Sequence, residues 1–235
     1  MDPIPGKLKN LRGGRILDVA TGFGDFLKLL TDSFETFDVA IGIDSSENII
    51  EAARRRHDKK LVFEVMDAGK MKFGSDFFDT VAVRHSLHHL EQVDRVLDEM
   101  LRVLKPGGLF IICEVFQKPD MNFDNAQRHL HHWWAAVDRT LGDTHYETMT
   151  DKEILEKGER LRLNDIEHII YTPQLDENKH REALESMLQK CESYLKKLKD
   201  MSGYEDLITR GEELMELFKR KGFVTESALY ILGRK

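Results

Sequence analysis

The 235-residue chain is poor in cysteine, proline and tryptophan, with two, five and two of each. Cys113 and Cys191 lie far apart, and no CxxC or Cys-His spacing surrounds them. That argues against a disulfide framework or a thiolate metal centre and suits a reducing compartment. No window approaches the roughly 18 apolar residues of a membrane span, and the opening MDPIPGKLKNLRGG has no apolar run of the kind a secretion signal needs. The expectation is a soluble, cytoplasmic protein with no stable membrane insertion. Net positive charge is lacking too: 35 Lys and Arg face 42 Asp and Glu, a formal charge of −7. Such a surface repels phosphate backbones, so no nucleic acid partner is expected. No HExxH motif occurs, and His129 and His131 are two apart on an expected helix and diverge, so no metal is expected either.

Alternation fills the first half. Short apolar runs at 15–20, 38–43, 61–66, 77–83 and 108–115 read as strands, with helical periodicity near 25–34, 46–57 and 91–104 between them. Ser45 or Ser46 is placed to cap the second helix, and KPGG at 105–108 to end the third. The second half departs from this rhythm. Residues 122–141 fit a helix with apolar positions Leu130, Trp133, Trp134, Val137 and Leu141; a short helix near 150–158 and a strand at 161–171 follow. Helices at 176–200 and 204–221, joined at Ser202-Gly203, carry apolar stripes that should pack as a hairpin before a last strand at 224–232. The fold class is therefore α/β: a doubly wound, Rossmann-like sheet of seven strands. It is expected as one domain over 1–235, with a ligand-binding core at 14–115 and helical insertions at 116–150 and 172–222 covering the site.

The most informative stretch is ILDVATGFGD, residues 16–25, where an apolar strand runs through an acid into a turn with two glycines. A dinucleotide fingerprint needs G-x-G-x-x-G, but from Gly22 the chain reads G-F-G-D-F-L and the third glycine is Leu27. Asp18 before the turn and Asp25 after it are also unfavourable beside a pyrophosphate. A cationic ligand without phosphate fits better. ILDVATGFGD resembles the first motif of class I S-adenosylmethionine-dependent methyltransferases, and the resemblance continues through about residue 115. VAIGIDSS places Asp44 and Ser45 at the tip of the second strand, FEVMDAGKM places Asp67 and Ala68 after the third, and FDTVAVRHSLHHL and EMLRVLKPGGLFII match the fourth and fifth strands with the helix between. The family commonly has glycine where Ala20 stands, though several subfamilies, the ubiquinone and menaquinone C-methyltransferases among them, have alanine.

The resemblance implies S-adenosyl-L-methionine as cofactor, with S-adenosyl-L-homocysteine as product. It implies contacts from Asp18, Ala20, Thr21, Gly22 and Gly24 in the turn, ribose binding by Asp44 with Ser45, adenine binding by Asp67 with Ala68, and Arg84 near the methionine end. Arg84 could equally pair with Glu114. Methyl transfer from a sulfonium is an in-line displacement, so positioning supplies much of the acceleration, and a base is needed only where the acceptor must lose a proton. His85 is the candidate base, balanced against a histidine merely hydrogen-bonded in place. The expected substrate pocket comprises His85, His88, His129, His131, Trp134, His145 and Tyr146. On the helical wheel His132 falls on the polar side and is expected to be solvated. Neither the Pro-Pro-aromatic signature of DNA amino-methylating enzymes nor the Pro-Cys of cytosine C5 enzymes follows the fourth strand, and two lone thiols do not suit arsenite methylation. A small-molecule N, O or S acceptor is favoured. Two alternatives stand beside it: a lipid-quinone C-methyltransferase, and a non-catalytic cofactor-binding subunit docking a partner through the 176–221 hairpin. The assembly is expected to be a monomer or homodimer.

Overall fold

The computed structural model describes residues 2–116, 124–222 and 225–235, so residues 122–123 of the expected long helix and Val224 of the expected last strand lie outside the described residues. The chain divides into two compact units: one of Met1–Val115, Lys152–Tyr171 and Ala228–Lys235, and one of Phe116–Asp151 and Thr172–Ser227.

The first unit is a seven-stranded sheet in the order β3-β2-β1-β4-β5-β7-β6. Its strands are β1 (Arg12–Val19), β2 (Thr36–Asp44), β3 (Leu61–Val65), β4 (Phe78–Arg84), β5 (Leu104–Val115), β6 (Asn164–Tyr171) and β7 (Ala228–Arg234). The first five run parallel, and β7 runs antiparallel to both its neighbours. Central strands with helices on both faces must be apolar along their whole length rather than alternately, and Leu109–Val115 of β5 is buried at every position. Helices α1 (Ile4–Leu8), α2 (Asp25–Ser33), α3 (Glu47–Arg56), α4 (Val93–Val103) and α6 (Asp151–Arg160) accompany the sheet. Ser46 is the residue that caps α3, its Oγ accepting the Ile49 N–H at 3.4 Å.

Several boundaries differ from the sequence expectation, and two of them have a visible cause. KPGG does not separate helix from strand: α4 stops at Val103, and β5 already pairs from Leu104, which faces Phe78. Gly107 takes φ +74, its N–H bonds the Lys235 carbonyl at 2.8 Å, and Lys235 N–H returns to Gly108 at 3.1 Å, so the glycines stay tied to the sheet. The last strand is shifted toward the C-terminus, to Ala228–Arg234. Thr225 and Ser227 before it instead bond Pro173 and Thr172, at 2.9 and 2.7 Å.

The second unit is helical: α5 (Asp124–Thr140), α7 (Glu177–Lys199) and α8 (Glu205–Lys221) close on a core that includes Leu130, Trp133, Met187, Leu195, Leu214 and Phe218. Trp133 is fully buried and its indole N–H donates to the Leu207 carbonyl at 2.7 Å. Gly211 is what admits that ring, since a Cβ there would stand 2.3 Å from it. The apolar stripes of the α7–α8 hairpin thus face α5, which removes the exposed stripe that the docking-subunit reading requires. Lys190 lies 4.0 Å from the Trp134 ring centre, and Lys199 pairs with Glu212 at 2.6 Å.

Candidate cofactor site

Strand order reverses between β1 and β4: the chain leaves β1 toward β2 and β3 on one side, then returns to add β4 and β5 on the other. In open α/β sheets ligands bind beyond the carboxyl ends of the strands at such a switch point. Asp18 lies near that end of β1, beside the turn at 20–24 that leads into α2. The turn is tight because Thr21 N–H bonds the Ile43 carbonyl and Gly24 N–H bonds the Thr21 carbonyl, both at 2.9 Å. Three of its residues have positive φ: Ala20 (+53), Gly22 (+55) and Gly24 (+84). Gly24 is required on packing grounds as well, since a Cβ would stand 2.6 Å from the Phe63 ring. Gly22 is different: nothing lies within 4 Å of the place its Cβ would take, so the backbone there faces open space.

Four carboxylates define the chemistry of this edge. Asp18 is 1% exposed; burial pushes it up to about 7, against the Thr21 hydroxyl that donates to its Oδ2 at 2.6 Å. Asp44, at the tip of β2, accepts Gly22 N–H at 3.1 Å with Oδ2 and Ser46 N–H at 3.0 Å with Oδ1. It is half-buried beside the exposed Ser45. Asp67 is exposed and accepts Gly69 N–H at 2.8 Å, next to the half-buried Ala68. Glu114, at the end of β5, is wholly buried.

Glu114 corrects the alternative pairing with Arg84. Its Oε1 lies 3.1 Å from His88 Nδ1, its Oε2 accepts Leu87 N–H at 2.7 Å, and Arg84 is not among its partners. Burial alone would raise this carboxyl, yet His88 and the Leu87 amide hold it below its ordinary range. Arg84 turns instead toward Asp2, whose Oδ2 is 3.7 Å from its Nη2, and lies over the Phe26 ring. His85 has φ +49 and sets Nε2 3.5 Å from Cys113 Sγ, a thiol that burial pushes up to about 12. His88 sits in a short 3-10 turn, Leu87–His89.

The remaining expected pocket residues belong to the second unit. His131, Trp134 and His145 come together there, with the His131 ring 5.8 Å from Trp134 and 5.5 Å from His145. His131 Nδ1 is 3.0 Å from Glu226 and His145 Nδ1 is 2.7 Å from Asp138, which also accepts the Tyr194 hydroxyl at 2.5 Å. His129 is exposed beside Arg210, and Tyr146 is 47% exposed; neither joins the group. His132 is not solvated as the wheel suggested: its side chain is 13% exposed and lies 3.4 Å from Glu147 on the loop after α5. Sequence reasoning missed Asp2, Glu226, Tyr194 and the role of Glu114. Only Glu114 left a signal, a charge inside the otherwise apolar run FIICEV.

Residues 17–112 match the family described as a methyltransferase domain. Over that stretch the chain is similar to methyltransferases. A demethylmenaquinone methyltransferase of Clavibacter sepedonicus is 38% identical over 109 residues, which are 46% of this chain and 43% of that one. The chain thus matches less than half the length of such curated relatives. Solved structures extend the likeness of fold beyond the domain's sequence match. The YcgJ protein from Bacillus subtilis superposes with a TM-score of 0.65 at 19% identity, covering 98% of this chain and 95% of that one. The phosphoethanolamine N-methyltransferase 2 of Haemonchus contortus, in complex with S-adenosyl-L-methionine, gives 0.60 at 20% identity, covering 99% and 51%.

Proposed function

We propose that this protein transfers a methyl group from S-adenosylmethionine to a small-molecule acceptor. The observation that carries the reading is the site at the switch point, where the open Gly22 backbone lies between the carboxylates of Asp18 and Asp44. Acids in those places repel a pyrophosphate and suit a ligand with a sulfonium, an ammonium and ribose hydroxyls. The residues present therefore fit the cofactor, which when bound supplies an electrophilic methyl group on sulfur. Asp44 retains lone pairs beyond its two backbone bonds and would accept from the ribose hydroxyls. Asp67 and Ala68 would meet the adenine, and Asp18 would offset positive charge. The chain's contribution to the transfer is mainly orientation, since an in-line displacement gains most from fixed geometry. Where the acceptor has a proton to lose, we assign His85 to take it.

A second acceptor is favoured by one finding. The matched relatives are named as demethylmenaquinone and ubiquinone/menaquinone biosynthesis methyltransferases, which supports a quinol ring carbon. The helical unit lies outside residues 17–112, the stretch that the methyltransferase-domain family matches. Among the described residues no helix is long and apolar enough to cross a membrane.

The test is calorimetric titration with S-adenosylmethionine and S-adenosylhomocysteine, followed by transfer of labelled methyl to a short-chain demethylmenaquinol and to a panel of small amines, hydroxyl compounds and thiols. Binding that Asp44→Asn weakens about tenfold or more, with label moving to one acceptor class, supports the reading. Absence of binding to either ligand overturns it.

A further inference from the structure

We propose that Arg95, Glu99 and Arg102 of α4 are positioning residues for base selection: by fixing the main chain of residues 67–73 they hold the Asp67 carboxylate where it tells an aminopurine from an oxopurine. The inference rests on the cofactor reading above, in which Asp67 meets the adenine, and adds to it residues that touch no ligand.

The loop after β3 has little apolar anchorage of its own, since between Asp67 and Asp76 only Met71 is buried. Its main-chain groups need partners from elsewhere, and α4 supplies them. Arg95 Nε donates to the Gly69 carbonyl at 2.8 Å, and Glu99 Oε2 accepts the Met71 N–H at 3.0 Å. Arg102 donates to the Met71 and Phe73 carbonyls at 3.2 and 3.0 Å. Positions 95, 99 and 102 follow the i, i+4, i+7 spacing of one helix face. Beside that face lie Val96, Leu97, Met100 and Val103, the buried stripe by which α4 packs on β4 and β5. A helix seated by its apolar stripe thus presents a polar stripe to alternate residues of the loop.

The brace is itself held rigid. Arg102 Nε and Nη2 donate to Glu99 Oε1 and Oε2 at 2.7 and 2.8 Å, and these bonds keep the Glu99 carboxyl below its ordinary range. Arg95 Nη1 donates to Gln92 Oε1 at 3.2 Å. Gly69 connects the brace to the acid, because its N–H donates to Asp67 Oδ1 at 2.8 Å while its carbonyl is the one Arg95 holds. Asp67 Oδ2 makes no hydrogen bond among the described residues, and the side chain is exposed. An ionised carboxylate only accepts, so it favours an exocyclic amine over a carbonyl at the same place. Such discrimination depends on an acceptor that cannot shift to suit the wrong partner.

The experiment compares calorimetric binding of S-adenosylhomocysteine with that of S-inosylhomocysteine, which carries oxygen in place of the exocyclic amine. The unaltered protein is expected to prefer S-adenosylhomocysteine about tenfold or more. Arg95→Met and Arg102→Met should each cut that preference about threefold or more, by weakening S-adenosylhomocysteine alone. Arg95→Lys, which can still donate one bond to the Gly69 carbonyl, should restore part of it. Arg160→Gln is the control: Arg160 ties α6 to Asp98 of α4 at 2.9 Å rather than to the loop, so the preference should stay. Thermal unfolding shows whether each variant folds, and Arg95→Met, an exposed side chain with one bond to the loop, decides the matter should Arg102→Met fail to fold. Equal weakening of both ligands, an unchanged preference, or an equal loss in Arg160→Gln would overturn the proposal and leave α4 a structural support. If the unaltered protein binds the two ligands equally well, base selection by Asp67 and its brace fails while the cofactor site stands; if it binds neither, both fall.

Discussion

Asp18 and Glu114 lie at the carboxyl-end edge of the same sheet, on β1 and β5, both closed off from solvent, yet burial pushes Asp18 up to about 7 while Glu114 stays below its ordinary range. Desolvation is the first cause acting on each, so it cannot explain the difference. Donors can. Glu114 receives the Leu87 and Val115 amides and faces His88, with the charge of His85 nearby. Asp18 has the Thr21 hydroxyl and a backbone contact at Leu27, sees Arg84 only through space, and is opposed by the charge of Asp44. One carboxylate is neutralised from within the fold. The other is left short of positive charge at the place where a cationic ligand is expected.

Breaking the satisfied site should have the largest effect. Glu114→Ala leaves the Leu87 amide and His88 without their buried acceptor, and a loss of about 3–5 kcal/mol in denaturant unfolding is expected for removing one member of a buried ionic network. A loss under about 1 kcal/mol would show that the network is not what holds the β4–β5 edge.

Substitution at Asp18 should act oppositely. A carboxyl whose folded pKa is raised from 3.8 to about 7 favours folding fully below its unfolded value and penalises it increasingly as pH rises toward 7. Asp18→Asn keeps an acceptor for Thr21 but cannot ionise, so it should gain stability relative to the unaltered protein between about pH 4 and 7, on the order of a few kcal/mol. Glu114→Gln, by contrast, should lose its disadvantage as pH falls below about 4.5, because a depressed carboxyl contributes stability only while ionised. The same Asp18→Asn change should weaken S-adenosylmethionine binding, and equal stability of the two proteins at pH 5 and 8 would contradict the assignment.

A ligand cation beside Asp18 sharpens the contrast further. With burial pushing Asp18 up to about 7, its ionisation for a cationic ligand gives up a proton, so binding of S-adenosylmethionine near neutral pH should be accompanied by proton release. Calorimetry in two buffers of different ionisation enthalpy reads this directly. The release should disappear in Asp18→Asn and persist in Glu114→Gln.

How much of this was legible in the sequence follows the range of the interactions. Apolar runs such as AIGID and FIICEV are strands by composition, and a Ser-Ser pair before ENII marks a helix start, so the sheet and its tip residues Asp18, Asp44 and Asp67 could be placed from local pattern. Pairings formed by the tertiary fold could not. Asp2 meets Tyr230 across 228 residues, Tyr194 meets Asp138 across 56, and His88 meets Glu114 across 26. His132 was misplaced because a helical wheel records only the helix itself, while Glu147 arrives from the loop beyond it. Ala20 shows the reverse. Its positive φ explains why glycine is common at that position in the family, and a methyl group is the smallest side chain able to take its place.

The smallest expected effect comes from the donor that keeps Asp18 from rising further. Thr21 lies against Gly42, where a Cβ would stand 2.6 Å from its hydroxyl oxygen, so the shape of the side chain matters and Thr21→Val preserves it. The substitution removes the 2.6 Å hydrogen bond that favours the ionised carboxylate. Its cost, about 1 kcal/mol, should therefore appear above pH 7 and fade below pH 5, where Asp18 is protonated in either protein. The midpoint of ligand-linked proton release should move upward from about 7. An unchanged midpoint would mean that Arg84 and the Leu27 amide, rather than the hydroxyl, set the charge state of Asp18. The difference between the two carboxylates would then rest on long-range charge instead of contact.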